Sequence, residues 1–447
     1  MARRSTSERL EGALKQLFFF VLFSVGVFGF ITFVFGRDGL PFGDAADYTN
    51  GARNFQDGQG PLLSGTWPYF RPPGYPFLIA LAWKITGTES ISLLLAINCT
   101  LHVLNAFLAG MISKILFGRN SQSVVTGLYL INPFLLYQLA GIQTEPIITS
   151  LSLIYLLTAL FFVSNSKKQS SKISHSLILV NAFVVVFATS IRPEYLLIFV
   201  LFFPVVLFLA RLSRAQLLQS LILWLTPICL SLLMWNLQLR SRVGGFVILT
   251  DATGFQFWQG TTTLAFDAYV KYFWNPPPVD LMTQWGVHIS NLINQFQAEY
   301  QWSELSIMQK AHLWQDLAFE NITSNPLQVL GIFAIKFVFF LRPFLLPSAY
   351  GVTLFLVSFV WYAIWFSIVW ITIRKMLREM KITRSDKDLW FAFLIFFFLA
   401  NLCNTLVHTI QMADLRYRIP LLEPYMIILV GYLYPLLKQR IKRLRNV

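Results

Sequence analysis

Two carboxylates, Asp44 and Asp47, follow the first long apolar run of the chain, in the stretch GLPFGDAADYTNGARNF of residues 39–55. Acids are scarce in this chain, with 21 Asp and Glu against 35 Lys and Arg. A carboxylate can accept a proton in catalysis or hold a cation. Ionisable groups at a membrane boundary are costly and suggest a functional site. The structural alternative for Asp47 is solvation, or capping of the helix that follows.

Other ionisable groups also stand at the ends of apolar runs. Their motifs are YFRPPGYP with Arg71 and Tyr75, QTEP with Glu145, IRPEY with Arg192 and Glu194, and ADLRYRIP with Arg416, Tyr417 and Arg418. Guanidinium groups bind phosphate through paired hydrogen bonds. Snorkelling to the headgroups is the structural alternative for Arg192, and a position facing the helix dipole is the alternative for Glu145. His102 and His408 are interpreted as packed inside a helix bundle.

The elements that must position these groups are membrane helices. The chain is 56% hydrophobic, 16% aromatic and only 13% charged, whereas about a quarter of the residues in soluble domains are charged. The basic residues lie in short runs between apolar segments, which argues against a nucleic-acid partner. The three cysteines have no metal or disulfide spacing. No phosphate loop, HExxH or GxSxG motif supports nucleotide hydrolysis or serine chemistry.

Ten apolar runs are long enough to span a bilayer, at roughly 17–25 residues each. They are 16–36, 90–117, 122–140, 143–163, 174–191, 194–210, 216–238, 348–373, 388–410 and 418–437. The first is predicted to be an uncleaved anchor. Two further segments, 73–86 and 327–346, are short or interrupted by Lys336, Arg342 and Pro343.

The distribution of positive charge decides how these two segments are read. If both lie in the interface, the tails and loops on one side hold 21 of the 35 Lys and Arg but only 5 of the 21 acids. This bias favours ten transmembrane helices with both segments in the interface, and it places the side rich in Lys and Arg, with both termini, in the cytoplasm. The number is twelve if both segments span. The expected division is an N-terminal transmembrane module, 1–238, with a first outer loop at 37–88; a large outer loop, 239–326; and a C-terminal part, 327–447.

The motifs taken in order resemble the polytopic GT-C glycosyltransferases, and most closely their bacterial branch related to protein O-mannosyltransferases and lipid A aminoarabinose transferases. The resemblance rests on Asp44 and Tyr48 in DxxxY, then on PPxYP at 72–76, TEP, RP and RYRxP, with GFQFWQGTTT and AFENITSNPLQVLGIFAIKFVFF further on. It covers most of the chain and implies a GT-C-like, all-α bundle with interfacial helices and an outer-face loop region.

That family transfers a sugar from a polyprenyl-phosphate carrier to an acceptor on the outer face of the membrane. The resemblance implies Asp44 as the catalytic base and Asp47 as a helper that orients the acceptor or a cation, in an inverting transfer to a glycolipid, glycan or protein hydroxyl. The expected donor-phosphate ligands are Arg192, Arg416 and Arg418, with Lys336 and Arg71 behind them. Tyr48, Tyr75, Glu145, Glu194 and Tyr417 are expected around the substrate.

Members of the family differ in whether they need a divalent cation, Mg or Mn. Asp44 and Glu145 are the expected ligands if one is bound, although the sequence has no DxD-like pair. The expected location is the plasma (inner) membrane. The rival functions are a transporter or flippase of lipid-linked sugars, a polymerase or ligase of whole oligosaccharides, and an inactive homologue. Charged groups collected at one face, without internal repeats, favour the enzyme over the transporter.

Overall fold

The computed structural model of the protein describes residues 6–39, 44–59, 71–166, 171–243, 252–262, 304–342, 347–379, 387–410 and 415–435, together with 291, 294–295 and 298–299. Within these ranges the regular elements are helices, and no strand occurs. The fold is therefore all-α, as the sequence predicts.

The first half of the chain contains ten helices among the residues described. They are α1 (Thr6–Phe35), α2 (Ala45–Gln56), α3 (Gly74–Thr86), α4 (Ile91–Phe117), α5 (Arg119–Leu130), α6 (Pro133–Tyr137), α7 (Glu145–Ser166), α8 (Ser171–Ile191), α9 (Glu194–Ala210) and α10 (Arg214–Val243). The second half adds α11 (Ala252–Thr261), α12 (Ile307–Ser324), α13 (Pro326–Leu341), α14 (Pro347–Glu379), α15 (Lys387–Ile410) and α16 (Leu415–Val430).

Six helices of the described part are long and apolar enough to cross a membrane. They cover Leu17–Phe35, Ile91–Phe117, Glu145–Ser166, Arg214–Gln238, Phe355–Glu379 and Lys387–Ile410. A seventh span is possible if α12 and α13, which are bent by 107° at a short break, are one broken span. Helices of this length and composition identify a membrane-embedded protein.

The number of long spans is smaller than the ten predicted, and the segment 122–140 shows why. It is not one helix, because the chain breaks between α5 and α6. The Asn132 side chain accepts hydrogen bonds from the backbone N–H groups of Phe134 and Leu135, and Pro133 occupies the first turn of α6. Asparagine followed by proline is a helix start, which hydropathy alone overlooks.

The remaining predicted spans are helices outside these six, and the described part of each is shorter than 18 residues. The helix α8 is described with side chains only from residue 175, α9 has 17 residues, and α16 has 16 residues with Pro420 and Pro424 inside it. The two ambiguous segments form α3, with 13 residues, and α13, with 16. At 1.5 Å per residue, 13 residues cover about 20 Å, well short of a core about 30 Å thick.

The centre of the bundle is an aromatic core shared by α7, α9, α15 and α16. Ring centroids lie 4.1 Å apart for Tyr155 and Phe199, 4.9 Å for Phe202 and Phe396, and 5.4 Å for Phe396 and Tyr425. The Tyr155 hydroxyl donates to the Phe199 carbonyl at 2.9 Å. In a bilayer such packing and interhelical hydrogen bonds replace hydrophobic burial as the attraction between helices.

The two helices of the first loop, α2 and α3, form a small cluster at one end of this bundle. A Cβ at Gly74 would lie 2.8 Å from the backbone carbonyl of Ser190, so glycine is needed where α3 begins against the end of α8. This close approach fixes the first turn of α3. The cluster contains Tyr48, Ala52, Tyr75, Ile79 and Trp83.

Half of the predicted outer loop 239–326 lies outside the described residues. Its described part consists mainly of α11 and α12, joined by contacts among Phe255, Trp258 and Trp314 whose centroids are 4.7–5.6 Å apart. The helix α12 leads directly into α13. The described part of the large loop is therefore connected to α13 through α12.

Candidate functional site

The carboxylates of Asp44 and Asp47 share one guanidinium, that of Arg71. Arg71 Nη2 lies 2.6 Å from Asp44 Oδ1 and 2.9 Å from Asp47 Oδ2, and Arg71 Nε donates to the same Asp47 oxygen at 3.0 Å. The three side chains are 8–20% exposed. Two acids from the start of α2 and an arginine from just before α3 thus meet, although they lie 24 or more residues apart in the chain.

Neither acid is accounted for by helix capping. Asp44 occupies the N-cap position of α2, but within the described residues its side chain makes no capping hydrogen bond, and Asp47 lies in the first turn. Burial raises the pKa of the Asp47 carboxyl, and the Arg71 guanidinium offsets part of that rise. Asp44 is the more exposed acid, with 20% of its side chain accessible against 8% for Asp47.

Two tyrosines connect this triad to the body of the protein. Arg71 Cζ lies 5.7 Å from the Tyr48 ring centroid, and Tyr48 meets Tyr75 edge to face at 4.9 Å. The Tyr75 hydroxyl is hydrogen-bonded with the Asn98 side chain and the Gln143 backbone. Burial raises the pKa of the Tyr48 hydroxyl and the nearby Asp44 carboxylate adds to the rise, so this phenol keeps its proton.

A second ion cluster surrounds Arg192, at the junction of α8 and α9. Arg192 Nη2 donates to Glu145 Oε1 at 2.7 Å, its Nη1 lies 3.4 Å from Glu194 Oε1, and its Nε donates to Thr144 Oγ1 at 2.9 Å. The Arg192 side chain is 9% exposed and that of Glu145 2%. This arginine is buried and paired, which removes snorkelling as its explanation.

A stack of side chains connects the Arg192 cluster to the C-terminal helices. Arg192 Cζ lies 4.7 Å from the Tyr417 ring centroid, Tyr417 stacks on His408 at 4.4 Å and 7°, and His408 stacks on Phe340 at 5.5 Å. The sequence predicts that His408 is packed or hydrogen-bonded inside the bundle, and its buried position between Tyr417 and Phe340 agrees with this. The stack joins the α8–α9 junction to α16, α15 and α13.

Two of the predicted phosphate ligands, Lys336 and Arg418, are hydrogen-bonded to backbone carbonyls at helix ends. Lys336 Nζ donates to the Gly260 carbonyl at 3.0 Å and the Ile410 carbonyl at 3.1 Å, and its side chain is fully buried. These carbonyls end α11 and α15, where backbone acceptors lack partners within the helix and cations are favoured.

Arg418 plays the same part for α13. Its Nη1 donates to the Phe340 carbonyl at 3.0 Å and the Arg342 carbonyl at 2.7 Å. To bind a phosphate, Lys336 would have to leave its two carbonyls, whereas Arg418 Nε and Nη2 have no hydrogen-bond partner among the described residues. A phosphate role for Lys336 and Arg418 remains a prediction, and a structural role is what their contacts describe.

The described side chains bring most of the predicted site together. Tyr48 interacts electrostatically with Asp44 and Arg71 on one side and with Arg192 and Glu145 on the other. The contiguous set is Asp44, Asp47, Tyr48, Arg71, Tyr75, Glu145, Arg192, Glu194 and Tyr417. Arg416 lies in the first turn of α16, and its side chain is outside the described residues.

A metal site has no direct support in the described side chains. They include no group of three or more His, Cys, Asp or Glu able to hold an ion. The expectation that Asp44 or Glu145 binds a divalent cation stays a prediction.

Sequence reasoning missed a buried acid in the last helix. Glu423 is fully buried between Pro420 and Pro424, and its Oε2 accepts a hydrogen bond from Asn132 Nδ2 at 3.0 Å. An acid inside the apolar run LLEPYMIILV was the available signal, since such a charge needs a buried partner.

In comparisons with models of known protein families, with curated proteins and with solved structures, no match to this chain was found.

Proposed function

We propose that the protein is a membrane glycosyltransferase that moves a sugar from a polyprenyl-phosphate carrier to a hydroxyl acceptor. The observation that carries the proposal is the pairing of Asp44 and Asp47 with Arg71, beside the Arg192 cluster. A base and a helper acid each lie within hydrogen-bond distance of a cation suited to phosphate, at one end of a membrane bundle. Ionisable groups held this way are uncommon in structural parts of membrane proteins.

In the proposed reaction, the acceptor oxygen attacks the anomeric carbon while the bond from that carbon to the phosphate oxygen breaks. The acceptor proton passes to an Asp44 carboxylate oxygen, and polyprenyl phosphate leaves as an anion. One carboxylate suffices for such a single displacement, which inverts the anomeric centre. Arg71 stabilises the charge that develops on the leaving phosphate, because a guanidinium pairs with two phosphate oxygens at once.

In this scheme the Arg71 guanidinium donates hydrogen bonds both to the donor phosphate and to the two aspartates. The guanidinium holds both acids, and Asp44 Oδ1 is the closer partner of its Nη2. A bound phosphate competes for the same N–H groups, so the donor frees Asp44 to act as a base. Asp47 keeps the guanidinium near the site and limits how far it moves.

The finer architecture belongs to the same proposal. We place the chain in a GT-C-like fold with about ten crossings, in which the shorter helices α8, α9 and α16 complete the set supplied by the long spans. Both termini are cytoplasmic, the membrane is the plasma (inner) membrane, and Asp44 faces outward. The excess of Lys and Arg in the loops assigned to the cytoplasmic side supports this orientation.

The experiment that tests the proposal is a transfer assay in proteoliposomes. Purified protein receives a panel of polyprenyl-phosphate sugars and a membrane glycolipid extract, and mass spectrometry follows both donor and acceptor. The expected result is free polyprenyl phosphate together with an acceptor that has gained one sugar residue. Movement of an intact donor between leaflets, without transfer, would instead establish a flippase.

A further inference from the structure

The side-chain amide of Gln143 is buried beside the two ion clusters, and no described residue gives it a hydrogen-bond partner. The residue is 3% exposed, and neither Oε1 nor Nε2 has a hydrogen-bond partner among the described residues. Buried amides are nearly always paired, because an unsatisfied donor or acceptor keeps its full desolvation cost. An exception of this kind in a native protein points to a ligand, an ordered water or a functional role.

The groups around Gln143 are already engaged. The Tyr75 hydroxyl is hydrogen-bonded with the Gln143 backbone, Asn98 Nδ2 donates to the Gly141 carbonyl at 3.0 Å, and Thr144 Oγ1 accepts from Arg192. These bonds fix the backbone on both sides of the residue. The amide is thus held in place by its neighbours while its own hydrogen-bonding capacity is unused.

The chemistry of an amide indicates which ligand would satisfy it. One acceptor and one donor stand side by side, and a hydroxyl group both donates and accepts. A phosphate or carboxylate accepts only, and would leave Gln143 Oε1 unpaired. Neighbouring hydroxyls on a sugar ring match both atoms.

We propose that Gln143 binds hydroxyl groups of the transferred sugar and so contributes to the choice of donor. This inference rests on the proposed function. Both amide atoms are covered by their neighbours, so binding of the sugar at Gln143 requires a rearrangement of the site. Sites that pair with a substrate hydroxyl discriminate strongly against ligands that lack it.

Binding measured in nanodiscs with two kinds of probe tests the inference. The probes are a panel of polyprenyl-phosphate sugars (mannose, glucose and 4-amino-4-deoxyarabinose) and the same polyprenyl phosphate without a sugar. In the wild type, at least one loaded carrier should bind more tightly than the bare carrier. In Gln143→Leu, this preference should fall about 10-fold, the value of two neutral hydrogen bonds, while bare-carrier affinity stays unchanged.

Thermal unfolding of the same variant separates a ligand role from a structural one. Replacing an unpaired amide by leucine should leave the melting temperature unchanged or raise it, whereas removing an amide bonded to an ordered water should lower it. Gln138→Leu is the matched control, a buried amide nearby that has an interaction partner; it should destabilise the protein without changing sugar preference.

Each outcome has one meaning. If the wild type binds neither kind of carrier, the proposed function fails. If it binds the bare carrier and prefers no loaded one, or if Gln143→Leu keeps the wild-type preference, the inference about Gln143 fails while the proposed function stands. The variant Gln143→Met provides the same test if the leucine variant does not fold.

Discussion

At the scale of single residues, Asp44 and Asp47 have different surroundings although both pair with Arg71. Asp44 is the more exposed and is the proposed base, while Asp47 is closer to full burial. Replacing Asp44 by Asn keeps the shape of the side chain and removes the proton acceptor. Sugar transfer measured by mass spectrometry should therefore fall roughly 10²- to 10⁴-fold.

Asp57→Asn is the control for that substitution. Asp57 ends the same helix and is exposed, so its replacement should leave the transfer rate unchanged. Transfer at the wild-type rate in Asp44→Asn would exclude Asp44 as the base.

The raised pKa of Asp47 gives a prediction of pH dependence. The folded carboxyl binds its proton at a higher pH than the unfolded one, whose reference pKa is 3.8. Ionisation of Asp47 therefore lowers stability, and this penalty disappears as the pH falls through the raised value. Thermal unfolding in detergent should show the wild type gaining stability relative to Asp47→Asn as the solution becomes more acidic. A difference between the two proteins that stays constant with pH would contradict this.

The convergence of the first-loop residues was predictable from the sequence, while the partner of each cation was not. The topology predicted from the charge bias puts Asp44, Asp47, Arg71 and the Arg192 motif on one side of the membrane, and the structure brings these residues together. Whether Lys336 meets a phosphate or a carbonyl depends on which helix ends come together in three dimensions. Hydrophobic periodicity contains no information on that point.

At the scale of elements, the ion pair of Arg192 holds the starts of α7 and α9 together. Arg192→Gln leaves the Glu145 carboxylate buried without its cation, and breaking a buried pair costs about 3–5 kcal/mol. The melting temperature in detergent should drop markedly. The control is Arg211→Gln, because Arg211 is 76% exposed and its pairing with Asp388 at 3.5 Å is a surface ion pair; such pairs contribute only about 0–1 kcal/mol. Equal effects of the two substitutions would refute the structural role of Arg192.

The hydrogen bonds from Lys336 to two backbone carbonyls predict that this lysine helps to hold α11 against α13 and α15. Lys336→Met fills similar space but leaves the Gly260 and Ile410 carbonyls without this donor. We expect a loss of about 1–3 kcal/mol in stability and faster hydrogen exchange across α11. Lys84→Met, at an exposed lysine on α3, should change neither. Unchanged exchange in α11 would show that other contacts dock this helix.

At the scale of the whole molecule, the proposed orientation puts the first loop and the end of α14 on opposite sides of the membrane. Single cysteines at Asp57 and Arg378, in a variant lacking the three native cysteines, should label oppositely with a membrane-impermeant maleimide. The Asp57→Cys protein should react from outside in intact cells, and the Arg378→Cys protein only after lysis. Labelling of both from the same side would overturn the topology.

The overall class was predictable because hydropathy and charge bias are properties of long windows. The break at Asn132 was not, because a single Asn-Pro step ends one helix and starts another without changing the mean hydropathy of the segment. The same helix start supplies Asn132, the hydrogen-bond partner of the buried Glu423, so averaging hydropathy over a window also hides this contact.

The contact between Asn132 and Glu423 joins residues 291 positions apart in the chain, which has a consequence for biosynthesis. The N-terminal helices enter the membrane while α16 is still being synthesised, so the Asn132 amide lacks this partner until the final helix arrives. Closing the bundle is then a late event that follows insertion rather than accompanying it. A nascent chain stopped before α16 would contain the earlier membrane helices, but its Asn132 amide would lack the Glu423 partner. A polar group left unpaired inside the bundle is a feature by which membrane quality control can recognise an unfinished product.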